Sequence, residues 1–195
     1  MNKTRLITVI TGLLIAFSQA AFSQTLKEAL DKKDTVAALG LIKNGADVNQ
    51  PDKDGSSALM NACRWADEPI VRFLLGHGAT PDKPASPKGR TALMIGCAYY
   101  SGKGICRMLI DKGAEVNAKT LSGATALMLA AQNAKLDVVE LLLKHGAKAN
   151  TKDETGKTAL DYANGAEVSD YLKQSAKDTR IDKQGVIDML QKAMK

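Results

Sequence analysis

A four-residue phrase returns along this chain at almost constant spacing. It reads Ser57-Ala58-Leu59-Met60, Thr91-Ala92-Leu93-Met94, Thr125-Ala126-Leu127-Met128 and Thr158-Ala159-Leu160-Asp161, in steps of 34, 34 and 33 residues. A second phrase keeps phase with it. Gly45-Ala46, Gly78-Ala79, Gly113-Ala114 and Gly146-Ala147 are each followed, three positions after the alanine, by a polar residue: Asn49, Asp82, Asn117 and Asn150. Two signals locked to one period specify an array of like units, in which each unit buries its apolar face against the next. What all units share describes the scaffold. What differs between them is where specificity belongs.

The cleanest unit runs from Asn117 to Asn150. Ser122-Gly123 is turn chemistry. Thr125 is placed to cap a helix by accepting a hydrogen bond from a main-chain N–H of the first turn. The segment from Ala126 to Ala131 is a short helix of strong helix formers whose small residues permit close stacking. A polar break at Gln132-Asn133 ends it. Leu136 to Lys144 is a second helix, apolar at helical spacing, and Gly146 supplies a left-handed C-terminal cap.

The unit Thr-Ala-Leu-Met, Ala-Ala, Leu-Asp-Val-Val-Glu-Leu-Leu-Leu-Lys-His-Gly-Ala and Asn, recurring in register, resembles the ankyrin repeat over residues 25–176. The resemblance implies an all-α repeat solenoid. Its stacked helix-turn-helix units would be joined by extended hairpin loops and closed by a capping unit at each end. It divides the chain into an N-terminal capping unit (24–50), repeats over 51–83, 84–118, 119–151 and 152–176, and a C-terminal capping helix or tail (177–195). Within the last repeat, Val168, Tyr171 and Leu172 mark a truncated second helix. In the tail, Val186, Ile187, Leu190, Ala193 and Met194 recur at helical spacing, as in a capping helix or, alternatively, a membrane-surface helix. The family's usual Thr-Pro-Leu-His is here Thr-Ala-Leu-Met, which loses a proline and a histidine that ties neighbouring loops. It leaves instead a column of Met60, Met94 and Met128, read either as gap-filling packing or as a soft-metal site.

The chain's start has a different character. Lys3 and Arg5 precede an uncharged, mostly apolar run from Leu6 to Phe17, and small residues follow at Ala20, Ala21 and Ser23. This is the pattern of a signal peptide cut after residue 23 or, alternatively, at Ala20, and the expectation is a protein of the periplasm or outside the cell. Loss of residues 1–23 lowers the formal charge from +6 to +4. The remaining lysines are scattered and few aromatics lie among them, unlike the clustered basic stripe of a nucleic-acid binder. Once the leader is cut, no membrane attachment is expected. Cys63, Cys97 and Cys106 are an odd number of cysteines for an oxidising compartment. Cys63 and Cys97 hold equivalent places in successive repeats, at a stacking distance of about 8–10 Å that exceeds the reach of a disulfide. Cys97 with Cys106 is the pair that could form; the other reading makes all of them small buried apolar side chains.

Specificity is sought where repeats differ. The residues after the first helix are Arg64-Trp65-Ala66, then Ala98-Tyr99-Tyr100, then Gln132-Asn133-Ala134. In ankyrin-like stacks this row lies towards the concave face. Three of the chain's eight aromatic residues fall in it, and tryptophan, tyrosine and arginine dominate interface hot spots. The second repeat is also two residues longer than its neighbours, with its additions in the proline-stiffened loop from Pro81 to Lys88 and in the turn from Tyr99 to Gly104. The expected partner-binding residues are therefore Arg64, Trp65, Tyr99, Tyr100, Gln132 and Asn133, joined by Lys103 from that turn. Leu121 joins them from a hairpin tip that carries charge in the other repeats.

Chemistry has little to work with. His77 and His145 both precede glycine, and the whole repeat between them puts them roughly 20 Å apart, too far to share a metal. No glycine-rich phosphate loop opens a helix. The expectation is a non-enzymatic, monomeric module, free of metal and cofactor, that binds a protein partner such as a stress enzyme or a toxin. The alternative is a soft-metal or redox sensor using the cysteine and methionine side chains.

Overall fold

The computed structural model describes residues 25–82, 88–99, 102–165 and 182–195. Residues 1–23, the prolines Pro84 and Pro87, Tyr100, and the segment of Val168, Tyr171 and Leu172 lie outside the described residues. The chain forms two compact units, divided between Asp47 and Val48. In the first, α1 (Leu26–Asp31) packs on α2 (Thr35–Lys43). Thr25 and Glu28 form a reciprocal capping box at the start of α1, and Asp34 caps α2 through the Ala37 N–H at 2.9 Å. Ala29 and Ala38 are fully buried.

The second unit is a double row of helices. The inner row is α3 (Ala58–Arg64), α5 (Ala92–Ala98), α7 (Ala126–Gln132) and α9 (Ala159–Asn164), each packed on the next. The outer row is α4 (Glu68–Gly76), α6 (Lys103–Asp111) and α8 (Leu136–Lys144), each packed on its inner partner and on its neighbour. The repeated phrase now has a physical meaning. Ser57, Thr91, Thr125 and Thr158 are the caps of the inner helices, each side chain accepting from the N–H three residues on. The following leucines Leu59, Leu93 and Leu127 are buried. Met60, Met94 and Met128 are at most 1% exposed, so the methionine column is part of the core. Met128 also closes its own cap: its Sδ accepts from the Thr125 N–H at 3.4 Å.

The Gly-Ala phrase is the exit from each outer helix. Gly78, Gly113 and Gly146 adopt φ of +89°, +88° and +83°, a region that side-chain-bearing residues avoid. The alanine N–H then reaches back to the carbonyl five residues earlier, at 3.0 Å for Ala79, Ala114 and Ala147. This satisfies a carbonyl that the helix end would leave orphaned. The polar residue three positions further on stitches one repeat to the next. Asn49 donates to the Gly78 carbonyl (3.0 Å) and accepts from the Thr80 N–H (2.8 Å); Asn117 does the same for Gly146 (2.9 Å) and Lys148 (2.9 Å). Asp82 accepts from the Glu115 N–H at 2.8 Å, and as a carboxylate it has no hydrogen to give Gly113.

The hairpin turns between repeats close with pairs such as Thr120 to Ala124 and Asp153 to Lys157, and no strand forms among the described residues. At the far end α10 (Lys183–Ala193) packs on both α9 and α8, burying Val186 and Leu190 completely. It therefore stands in the outer row beside α8. Its entry is fixed by the Asp182 N–H donating to the Ala134 carbonyl (3.1 Å) and by Lys183 Nζ on the Asn164 carbonyl (3.0 Å). None of the described helices is long and apolar enough to cross a membrane.

Candidate interaction surface

The inner helices end in register, so the residues that follow them form a row. Trp65 is the C-cap of α3, Tyr99 of α5 and Asn133 of α7. Trp65 is 72% exposed and Tyr99 36%, a large investment of apolar surface in water. Arg64 joins them: its guanidinium carbon lies 5.6 Å from the centre of the Tyr99 ring, one repeat away. That is cation–π range, and at a half-buried site it contributes on the order of 1 kcal/mol. Arg64 Nε is buried, with no hydrogen-bond partner among the described residues.

Tyr99 differs from its equivalents in the backbone. Trp65 and Asn133 end their helices near ψ of 3° and 11°, and the next residues, Ala66 and Ala134, turn left-handed at φ of +54° and +50°. Tyr99 instead leaves α5 extended, at φ −106° and ψ −156°. Tyr99 stands where the sequence of the second repeat is longer than that of its neighbours. The side chain of Lys135, from the third repeat, donates to the Tyr99 carbonyl. Lys135 occupies the N-cap of α8, where α2 and α4 have the capping aspartates Asp34 and Asp67. The exchange of aspartate for lysine at that one place is the sequence signal for this tie.

The other expected contacts divide. Gln132 is exposed at the end of α7. Asn133 is half-buried and folds back to donate to the Leu129 carbonyl at 2.7 Å, capping its own helix. Lys103 pairs with Glu140 of α8 at 3.2 Å, and Glu140 also holds Lys144 at 3.0 Å. The Lys144 and Lys103 hydrogen bonds keep the Glu140 carboxyl below its ordinary range. Lys103 thus belongs to the outer helices. Leu121, 72% exposed, lies by the N-terminal ends of the inner helices, where it lines a groove with Lys88, Arg90, Thr120, Ser122, Ala124 and Leu129. The groove measures about 230 Å³, below the roughly 300–1,000 Å³ of small-molecule sites. Val36, 82% exposed in the first unit, is an apolar surface residue that the repeat pattern does not single out.

Both histidines end outer helices, and each places Nδ1 2.8 Å from the carbonyl four residues back, on Phe73 and Leu141. A carbonyl only accepts, so Nδ1 carries the proton in both. Among the described residues no three histidine, cysteine or acidic side chains converge as a metal site would require.

A family model described as ankyrin repeats in three copies matches residues 26–120, and one of ankyrin repeats in many copies matches residues 109–163. Similar known proteins include the mouse RelA-associated inhibitor, 41% identical over 44% of this chain and 10% of its own length. The Caenorhabditis elegans ankyrin repeat and KH domain-containing protein mask-1 is 33% identical over 64% of this chain and 5% of its own length. The mouse protein fem-1 homolog A-like is 35% identical over 52% and 15%. The chain thus spans at most 15% of the length of these relatives. Together the models cover the capped inner helices, the glycine exits and the stitching asparagines, and this chain belongs to the ankyrin-repeat family.

Proposed function

We propose that this protein is a non-catalytic binding module that captures a protein partner through Arg64, Trp65 and Tyr99. Residues 1–23 act as a cleaved leader, and the mature chain works as a monomer in the periplasm or outside the cell. Ankyrin-repeat proteins are generally interaction modules without catalysis, which supports the class. The observation that carries the choice of surface is the exposure of Trp65 beside a tyrosine already stacked by arginine. Exposed tryptophan gains most from being covered, and a ring pre-ordered by Arg64 loses little freedom on docking. Gln132 continues the row. Leu121 and its groove form a separate rim, with Lys88 and Arg90 giving it positive character. A stress enzyme or a toxin fits this role as a partner, and nucleic acid does not.

The test is affinity capture from extracytoplasmic extract with the tagged protein, compared with the W65A/Y99A double variant. A protein held by the wild type and lost by the double variant is the expected result. If both retain the same proteins, the row is not the binding surface. A Leu121→Ala variant that alone loses the partner would place the contact at the hairpin rim.

A further inference from the structure

Cys97 on α5 and Cys106 on α6 face each other inside the second repeat, with their sulfurs 3.9 Å apart. Both are free thiols, and both are fully buried. They flank the turn that begins at Tyr99, whose carbonyl is held by Lys135. We propose that Cys97 and Cys106 form a reversible disulfide site, oxidised by a small hydroperoxide and reopened by a dithiol. This goes beyond partner binding and does not depend on it.

The geometry is suited to closure. A disulfide needs about 2.05 Å between sulfurs, so the pair, at 3.9 Å, must approach by under 2 Å. The environment also distinguishes the two sulfurs. A hydrogen bond from Cys97 holds the Cys106 thiol below its ordinary range against the opposing effect of burial, and the Lys135 charge adds to the lowering. The same hydrogen bond, together with burial, pushes Cys97 up. Cys63 is pushed up by burial, with the Cys106 charge adding to it, and so stays a thiol. Cys106 is then the nucleophile and Cys97 the resolving thiol.

In the first step the Cys106 sulfur attacks one peroxide oxygen and the O–O bond breaks. The alcohol, or water from hydrogen peroxide itself, leaves with a proton, and Cys106 becomes a sulfenic acid. In the second step the Cys97 sulfur attacks the Cys106 sulfur, the S–O bond breaks, and water leaves carrying the Cys97 proton. Two thiols lose two electrons and the peroxide gains them. A compact oxidant is required because neither sulfur is exposed.

The experiment uses the reduced full chain, exposed to hydrogen peroxide under native conditions, then unfolded, alkylated and mapped by mass spectrometry. The expected product is a peptide pair joined through Cys97 and Cys106 and two hydrogens lighter, with Cys63 alkylated and the link lost on dithiothreitol. Cys63→Ala should give the same link at the same rate. The proposal is overturned if all thiols alkylate after native oxidation, or if Cys63 enters the bond. It is equally overturned if Cys106 ends as a sulfinic acid without a link, or if the link forms only after prior unfolding in urea.

Discussion

Asn117 donates its amide to the Gly146 carbonyl at 2.9 Å while its oxygen accepts from the Lys148 N–H at 2.9 Å, so one side chain satisfies two main-chain groups of the next repeat. Asn117→Ala removes both bonds and should lower stability by about 1–2 kcal/mol, given a net worth near 1 kcal/mol per bond. Asp82→Asn should act in the opposite direction, because the amide supplies the hydrogen that the carboxylate lacks. Urea midpoints at constant slope would check both, and an unchanged midpoint for Asn117→Ala would remove this residue from the account of stacking.

Ala66 and Ala134 sit at φ of +54° and +50°. A left-handed residue with a Cβ costs roughly 1–2 kcal/mol, a cost that glycine avoids in the folded state while losing some entropy on folding. Ala66→Gly should therefore stabilise by up to about 1 kcal/mol, and Ala66→Val should destabilise. Thermal unfolding of the two variants beside wild type reads the sign directly.

Gly123 and Gly156 are both left-handed, at φ +76° and +82°, but only Gly123 is crowded. A Cβ there would stand 3.0 Å from the Asp153 Cα and the Glu154 N of the next hairpin, whereas at Gly156 it meets open space. Alanine at Gly156 should cost about 1 kcal/mol for the backbone alone. At Gly123 it should cost visibly more, since main-chain atoms must move. Equal costs would mean that adjacent hairpins do not pack as described.

Asp153 anchors the last hairpin. Half-burial would raise its pKa, but the Lys157 N–H, the Thr155 hydroxyl and N–H, and the Tyr162 hydroxyl together lower it to about 2. The unfolded chain binds this proton first, so the contribution is complete above the ordinary aspartate value near 3.8 and disappears as pH falls towards 2. Acid titration of stability should show this loss in wild type and a shallower limb in Asp153→Asn. Coincident limbs would exclude the carboxylate as the source.

The methionine column offers a separate test of packing. Met128→Leu conserves volume and should cost under about 1.5 kcal/mol, while Met128→Ala opens a cavity and should cost about 2–5 kcal/mol. A leucine variant as damaged as the alanine one would show that the thioether itself matters.

The scaffold was legible because it is written in repeated signals: caps at Ser57, Thr91, Thr125 and Thr158, glycine exits, and leucines at fixed offsets. The sequence marked Asn49 and Asn117 as periodic without revealing what they bind, since their partners lie about thirty residues on, in the next repeat. The site was legible in part. Trp65 and Tyr99 stand out by composition, but whether Asn133 faces a partner or its own helix depends on a rotamer, which spacing does not encode. Lys103 pairs with Glu140, and Lys135 reaches Tyr99, because neighbouring outer helices and turns meet in space. The helical pattern of the tail was clear from Val186 and Leu190, yet its berth against α8 is a tertiary fact.

That berth has a consequence for how such a chain can change length. Arrays of this kind grow by duplication, because each interior unit presents to its successor the face it received from its predecessor. Here α10 fits one particular neighbour: a side chain at Gly185 would come within 3.0 Å of Leu136, and Asp182 is fixed to Ala134. A duplicate of the third repeat would offer α10 the same Leu136 and Ala134 surface. A duplicate of the second, placed last, would offer Lys103 and the longer turn instead. A copy of the second repeat in that place would therefore leave α10 without the seat it has on the third.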